Sequence, residues 1–292
     1  MLQFLMFTNR LWLLFAAITT LFWGVWGALI ELPEKAGFPA TLGYSVWALT
    51  MIPCSLVSLA VAKWNLHWDR RSIWLGSLVG LLGAGGQIVL FEALRTAPAY
   101  LVFPIVSLYP VLTVALSVSI LKERASRRAS VGIAAALIAL PLLAYLPPGS
   151  SAASGYLWLA GPVAVFVAWG LQAFIMKYAN ATMSAESIFF YMALTAVLLI
   201  PAALWMTDFS QPIQWGFRGP WLAALIQVLN SIGALTLVYA VRHGKAIIVV
   251  PMTSLAPVLT IALSLALYGV WPNAVLASGM ALASLAIYLM AE

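Results

Sequence analysis

The feature that most constrains this chain is a segment that occurs twice. Residues 94–117 and 241–264 align without a gap at a shift of 147 positions, and about half of their positions agree. Apolar bias alone would not place two prolines, an arginine and two serines in register. A repeat of about half the chain length indicates a duplicated unit rather than a solenoid.

Composition indicates the solvent of this duplicated unit. The chain is 64% hydrophobic and 8% charged, with a mean hydropathy of +1.03, and no soluble domain of 292 residues could bury that much apolar surface. A membrane-spanning helix needs roughly 20 apolar residues. Ten segments qualify, numbered here span 1 to span 10: 11–31, 39–62, 72–94, 99–121, 129–146, 155–176, 184–206, 221–241, 245–268 and 272–291. We therefore predict an all-α membrane protein with ten transmembrane helices, span 1 being a helix rather than a cleaved signal peptide.

The distribution of basic residues predicts the orientation. With the N-terminus in the cytoplasm, 11 of the 14 Lys and Arg residues lie on the inner side and only Lys35, Arg95 and Arg218 lie outside. We therefore expect both termini in the cytoplasm of a multi-pass protein of a bacterial inner membrane. This distribution also accounts for the net charge of +6 without nucleic acid as a partner.

The repeat predicts how the ten spans are arranged. The expected repeats are residues 11–146 and 155–291, joined by a flexible segment at 147–151. Because each repeat has an odd number of spans, the second enters the membrane from the opposite side. Two inverted five-helix repeats around a central cavity are the architecture of alternating-access carriers.

Several motifs carry a family resemblance that covers nearly the whole chain. They are Trp23-Gly24 in span 1, the run from Ala93 through Pro110 to Arg124, Gly132, and the copy around Pro257. This pattern resembles the drug/metabolite transporter superfamily, and specifically its EamA-type members with ten helices. The resemblance implies that spans 1, 3, 4, 6, 8 and 9 surround the cavity with spans 5 and 10 behind them. It also implies an exporter or exchanger of small metabolites.

The chain departs from the pattern of that superfamily at two positions. Members often carry Lys or Arg eight residues after the tryptophan of span 1; Lys177 keeps this feature in span 6, whereas span 1 has Glu31. Glu123 follows span 4, but its counterpart after span 9 is Val270.

Two prolines predict kinks at the centres of spans 4 and 9. Pro110 and Pro257 each lack a backbone donor and displace the carbonyl four residues earlier, at Val106 and Thr253. In lipid such carbonyls need a partner from protein or a wet cavity. One interpretation is that these carbonyls and the neighbouring hydroxyls bind solute; the other is a packing kink with each hydroxyl bonded to its own helix. The hydroxyl residues concerned are Ser107, Thr253 and Ser254.

Aromatic and amide side chains are the other candidates for the cavity wall. Trp23 and Trp26 are three residues apart and share a helix face, and their counterparts in span 6 are Trp169 and Gln172. A mid-membrane amide is costly unless it faces protein or water. The alternatives are that the tryptophans face lipid or core and that the amides only join helices. The remaining candidates are Gln87, Tyr109 and Asn230, and Gln227 shares a face with Asn230.

Two carboxylates are candidates for coupling to protons or cations. Glu92 is the only acidic residue well inside a span and beyond its first turn, and Glu31 ends span 1. Arg95 and Lys35 follow them by one helical turn. Simple ion pairs at the outer helix ends are therefore the competing interpretation.

These features favour a secondary transporter of a small organic metabolite. No nucleotide-binding loop of the form G-x-x-x-x-G-K-[ST] occurs, so the sequence does not support transport driven by ATP hydrolysis within this chain. An intramembrane enzyme would need a nucleophile with a base or metal-binding carboxylates, and neither H-E-x-x-H nor a paired Asp is present. A single cysteine, Cys54, allows no intrachain disulfide and no metal cluster. We expect no metal or cofactor, the bilayer and a small solute as partners, and an exporter or exchanger of amino acids or related metabolites. A carrier for organic cations such as quaternary amines, a channel or scaffold, and a monomer or homodimer remain open alternatives.

Overall fold

The computed structural model describes residues 10–97, 99–145, 157–268 and 272–291, and these residues form an all-helical bundle. The first repeat contains Leu11–Leu29 with the short helix Glu31–Lys35 (span 1), Ala40–Val61 (span 2), Arg70–Thr96 (span 3), Ala99–Ser107 and Tyr109–Ser119 (span 4), and Arg127–Leu143 (span 5). The second contains Leu157–Leu159 and Ala160–Ala179 (span 6), Ala185–Leu198 and Ile200–Trp205 (span 7), Phe217–Trp221 and Leu222–His243 (span 8), Ala246–Thr253 and Pro257–Tyr268 (span 9), and Ala274–Met290 (span 10).

Helices occur at all ten predicted positions. Within the part of the chain that the structure describes, seven of them are long and apolar enough to cross a membrane by themselves. Span 4 is divided, and spans 5 and 10 have 17 residues each. The flexible joint predicted at 147–151 lies outside the described residues, and the exact bounds of the two repeats stay a prediction.

Side-chain caps explain where several helices begin. Asp69, Ser126, Ser184 and Asn273 precede spans 3, 5, 7 and 10, and each accepts a hydrogen bond from a backbone N–H of the first turn. Such a cap satisfies one of the four N–H groups that have no partner inside the helix. The first turns of these spans are therefore determined locally by sequence.

The packing of the spans has two-fold symmetry. Span 1 packs against span 8 as span 6 packs against span 3, and span 1 against span 9 as span 6 against span 4. Span 2 likewise packs against span 8 as span 7 packs against span 3. Spans 5 and 10 pack on each other, beside spans 4 and 9. The two predicted repeats therefore interlock through equivalent helices, as the inverted arrangement requires.

The outer surface of the bundle is apolar in the middle and aromatic towards both ends. Leucine and valine side chains such as Leu14, Val57 and Leu198 are more than half exposed. Exposed tryptophans cluster at one end (Trp64, Trp68 and Trp74) and at the other (Trp205, Trp215 and Trp221). Tryptophan is enriched at membrane–water interfaces, so these two sets lie where the bilayer headgroups are expected. We call the end with Trp64 the inner end, following the predicted orientation.

Candidate functional site

The two tryptophans of the duplicated Trp-Gly element are held in the same way. Trp23 Nε1 donates to the carbonyl of Asn230 (3.4 Å), and Trp169 Nε1 donates to the carbonyl of Gly83 (3.2 Å). Asn230 and Gly83 are themselves equivalent positions of the repeat. Each indole is thus anchored to the third span of the other repeat, and its N–H is occupied.

Glycines make room for both indoles. A β-carbon at Gly233 would lie 2.5 Å from Trp23 Nε1, and one at Gly86 would lie 2.5 Å from Trp169 Nε1. These glycines are equivalent positions of the repeat. Any larger residue there would have to displace the ring, so glycine is required for the close approach.

A second symmetric pair of hydrogen bonds joins the broken spans to their neighbours. Thr113 Oγ1 donates to the carbonyl of Gly170 and Thr260 Oγ1 donates to the carbonyl of Gly24, each at 2.9 Å. These bonds connect span 4 to span 6 and span 9 to span 1. Because both pairs connect equivalent residues, they confirm the predicted two-fold relation at atomic detail.

Trp26 takes part in an amide network that has no copy in the other half. Its Nε1 donates to Gln227 Oε1 (3.0 Å), and Gln227 Nε2 donates to the carbonyl of Gly43 (3.2 Å). Asn230 Nδ2 also approaches Gln227 Oε1 at 3.5 Å. The equivalents of Gln227 and Asn230 in the first repeat are glycines. Polar groups of spans 1, 2 and 8 are therefore satisfied by one another on this side of the bundle.

Tyr109 connects the two broken spans. Ser254 Oγ donates to the carbonyl of Val250 in its own helix (2.8 Å), so the Tyr109 hydroxyl donates to Ser254 Oγ (2.7 Å). The ring of Tyr109 also meets that of Trp169 edge to face, with 5.9 Å between centroids. Spans 4, 6 and 9 therefore meet at this tyrosine.

The prolines interrupt spans 4 and 9 rather than kinking a continuous helix. Pro110 and Pro257 lie in the first turn of Tyr109–Ser119 and Pro257–Tyr268, where the missing N–H costs no hydrogen bond. The carbonyl of Thr253 accepts a hydrogen bond from Ala256 N (3.2 Å), so it has a partner within the protein.

The hydroxyl side chains beside the breaks differ in their surroundings. Thr253 is 1% exposed and its hydroxyl lies 3.0 Å from the carbonyl of Val249. The structure therefore gives Thr253 the bonding to its own helix that was the competing interpretation. Ser107 ends the helix Ala99–Ser107 and is half-buried.

Two predicted amides keep their hydrogen-bonding groups open. Gln172 lies against Gly83, and Gln87 lies one turn further along span 3, on nearly the same helix face. Both are half-buried, and neither has a hydrogen-bond partner among the described residues. Both amides therefore have free hydrogen-bonding capacity with respect to the described residues.

The two candidate coupling carboxylates lie in ion pairs within their own helices. Glu31 pairs with Lys35 at 2.6 Å and Glu92 with Arg95 at 3.4 Å, with all four side chains more than half exposed. Both pairs lie at the outer end of the bundle. Exposed pairs of this kind contribute little to stability.

Sequence reasoning left three interactions of this region out. Gln227, 5% exposed, completes the Trp26 network, and its position one turn before Asn230 was the available signal. Thr113 and Thr260 were visible as repeated residues, but their carbonyl partners were not. Glu123 and Lys177 were noted only in the comparison with the superfamily pattern, yet they form a largely buried ion pair at the inner end.

A cavity of about 370 Å³ opens at the inner surface, away from these residues. It is lined by the loops after spans 2 and 6, including His67 and Thr182, and by Arg242. Arg242 Nη1 donates across it to the carbonyl of Met183 (3.0 Å). This cavity is therefore separate from the central region.

We define the central site as the aromatic, amide and hydroxyl residues of spans 1, 3, 4, 6, 8 and 9 whose contacts are described above. They are Trp23, Trp26, Gln87, Tyr109, Trp169, Gln172, Gln227, Asn230 and Ser254. None of these side chains is charged.

Comparison with known proteins agrees with this architecture. The model of the EamA-like transporter family matches residues 10–145 and 153–291. Protein LicB of Haemophilus influenzae is 26% identical over 181 residues, which is 61% of this chain and 61% of LicB. A solved crystal structure superposes with a TM-score of 0.76 over 94% of this chain and 97% of that chain, at 19% identity, and so supports the fold. Because the family model covers both repeats, this chain belongs to the EamA-like transporter family, a family of membrane transporters of the drug/metabolite superfamily.

Proposed function

We propose that this protein is a secondary transporter that moves a small organic metabolite by alternating access, as an exporter or exchanger of amino acids or related metabolites. The observation that carries the proposal is the symmetric anchoring of Trp23 and Trp169 across the two repeats. Two equivalent halves that meet at one region can exchange their conformations, which exposes the region to each side in turn.

The chemistry of the central site supports a solute with an apolar part and no net negative charge. The indole N–H groups of Trp23, Trp26 and Trp169 are bonded within the protein, so these residues offer ring faces. The open amides of Gln172 and Gln87 offer both donors and acceptors. No cationic side chain in this set could receive a carboxylate or phosphate. A zwitterion would therefore be held through its ammonium group and its apolar part.

Organic cations such as quaternary amines are the second candidate. Aromatic faces attract cations by roughly 0.5–2 kcal/mol, and Trp gives the strongest attraction. A quaternary ammonium has no N–H to donate, so it would use the rings and not the amides. The contribution of Gln172 consequently separates the two candidates.

Glu31 and Glu92 are proposed to draw a cationic group or a coupling proton to the outer mouth. Their exposure supports access from water, but the ion pairs with Lys35 and Arg95 reduce the field that they present. Glu31→Gln and Glu92→Gln should lower the rate of cation uptake from outside at low salt and leave it unchanged at high salt, because exposed charges are screened.

A ligand panel read by thermal shift on the purified protein tests the proposal directly. The panel covers amino acids, amines, quaternary ammonium ions, nucleosides and sugars, with organic phosphates as the contrasting class, followed by transport in proteoliposomes. We expect Trp23→Ala to weaken binding of the active compound, and Gln172→Ala to weaken binding of an amino acid but not of a quaternary amine.

Trp74→Ala is the matched control, because Trp74 is 68% exposed on the outer surface of the bundle. It should leave binding unchanged. Preference for an organic phosphate, or unchanged affinity in Trp23→Ala, would contradict the proposed chemistry.

A further inference from the structure

A largely buried ion pair joins several elements at the inner end. Glu123 follows span 4 and Lys177 lies in span 6; their charged atoms are 3.8 Å apart, and the side chains are 10% and 23% exposed. Lys177 Nζ also donates to the carbonyls of Val241 (2.9 Å) and Gly244 (2.5 Å). The second oxygen of Glu123 accepts from the N–H of Ile247 (3.0 Å). Two charged side chains thus hold together the loop after span 4, span 6, the end of span 8 and the start of span 9.

The loop after span 4 is shaped to present Glu123 to this cluster. Lys122 adopts a left-handed conformation with φ of 57°, which turns the chain back at the end of the span. The N–H of Glu123 then donates to the carbonyl of Ser117 (3.1 Å), and Lys245 Nζ donates to the carbonyl of Arg124 (2.5 Å). The backbone of Glu123 is therefore fixed within its own loop, while its carboxylate is held by Ile247 N and Lys177.

The two-fold relation places positions equivalent to Glu123 and Lys177 at the outer end, and the residues at those positions are different. The equivalent of Lys177 is Glu31, and the equivalent of Glu123 is Val270. Glu31 pairs with Lys35 within the same short helix, and the two side chains are 61% and 64% exposed. The sequence therefore forbids a Glu–Lys pair between these positions at the outer end.

Opening the two ends consequently has different costs. Separating a buried pair leaves a charge without its partner, whereas an exposed pair contributes little. If Lys177 moved away, two carbonyls would lose their charged donor. If Glu123 moved away, one N–H would lose its charged acceptor.

We propose that Glu123 and Lys177 form the inner gate of this transporter and bias it towards the conformation with its inner end closed. This inference rests on the proposed function, because a gate has a role only in a carrier. The pair is a positioning element and touches no solute.

Labelling of a single introduced cysteine tests the gate without requiring transport. In a Cys54→Ser background, Ser254→Cys places a thiol at the central site. An impermeant maleimide is then added outside inside-out vesicles, where it can reach only the inner end of the protein. We expect Glu123→Gln to raise the labelling rate by about tenfold, the factor that corresponds to losing one hydrogen bond to a charged group. Lys177→Met should have the same effect.

Matched variants separate a gate from general damage. Glu92→Gln removes an exposed pair at the outer end and should leave inner-face labelling unchanged. The exchange Glu123→Lys with Lys177→Glu should not restore slow labelling, because glutamate cannot donate to the carbonyls of Val241 and Gly244. If Glu123→Gln fails to reach the membrane, Glu123→Asp, which keeps the charge at a greater distance, should give a smaller increase.

The outcomes also distinguish the gate from the proposed function. Unchanged inner-face labelling in Glu123→Gln and Lys177→Met would overturn the gate, whether or not the protein transports. Faster labelling in these variants, in a protein that transports none of the tested solutes, would uphold the closed inner end and contradict only the proposed solute class.

Discussion

At the scale of single residues, the central region depends on the space that two glycines leave for the indole rings. Gly233 and Gly86 lie against the nitrogen-bearing edges of Trp23 and Trp169. A methyl group at either position would push an indole away from the carbonyl that anchors it. The close contact between each ring and the neighbouring backbone thus requires a residue without a side chain at these two positions.

We therefore predict that Gly233→Ala and Gly86→Ala each destabilise the protein by about 1–3 kcal/mol, the usual cost of overpacking. They should also weaken solute binding, since the ring moves with its anchor. Thermal unfolding in detergent and ligand-induced thermal shift measure the two effects.

Gly85→Ala is the control for these variants. A β-carbon there would meet only Leu81 Cδ1, at 3.9 Å, and alanine is the better helix former. Equal stability losses at Gly85 and Gly86 would show that packing against the indole is not the cause.

At the scale of elements, the start of span 3 should carry a pH dependence. Hydrogen bonds from the hydroxyl and the backbone N–H of Ser72 lower the pKa of Asp69 below its ordinary 3.8. A carboxyl whose pKa is lowered by folding stabilises the folded state above its unfolded pKa, and this stability is lost as pH falls through the folded value. We predict that the difference in Tm between wild type and Asp69→Asn is present at pH 6 and is lost as pH falls through the lowered pKa of Asp69.

The neutral cap of span 7 provides the comparison. Ser184 accepts from Ser187 N at 3.1 Å and does not titrate in this range. The Tm deficit of Ser184→Ala should therefore be constant over the same pH window. If the Tm deficits of both variants disappeared together at low pH, the cause would be a general effect of acid and not the charge of Asp69.

The broken spans carry the second prediction at this scale. Pro110→Ala and Pro257→Ala restore an N–H and remove the restriction on the preceding residue, which favours a continuous helix and changes the angle between its two parts. We expect both variants to be inserted in the membrane but to transport more slowly in proteoliposomes.

Pro141→Ala serves as the control, because Pro141 lies inside the helix of span 5, behind the central site. Normal rates in both single variants and in the double variant would show that the breaks serve packing alone.

At the scale of the whole molecule, the inverted repeat predicts the topology. An odd number of spans in each half requires both termini on the same side, and the positive-inside distribution predicts that this side is the cytoplasm. Tags at the two ends should therefore be protected together in spheroplasts and become accessible together on lysis. Termini on opposite sides would remove the odd-numbered repeat and with it the carrier mechanism.

The sequence by itself determined the medium, the ten helical segments and the duplication. Those properties follow from local composition, span length and residues such as Asp69 and Ser184 that start helices through their own neighbours. The two-fold relation was also readable, because Pro110 and Pro257 recur at one fixed shift.

The tertiary structure alone decided which polar groups remain open for a solute. The amide of Gln172 is open whereas that of Gln227 is occupied, although both are mid-span amides in the sequence. Lys177 likewise became part of a gate through the carbonyls of Val241 and Gly244, more than 60 positions away. The physical reason is that burial and hydrogen-bond partners belong to pairs of helices, and which helices meet is not encoded in the pattern of either one.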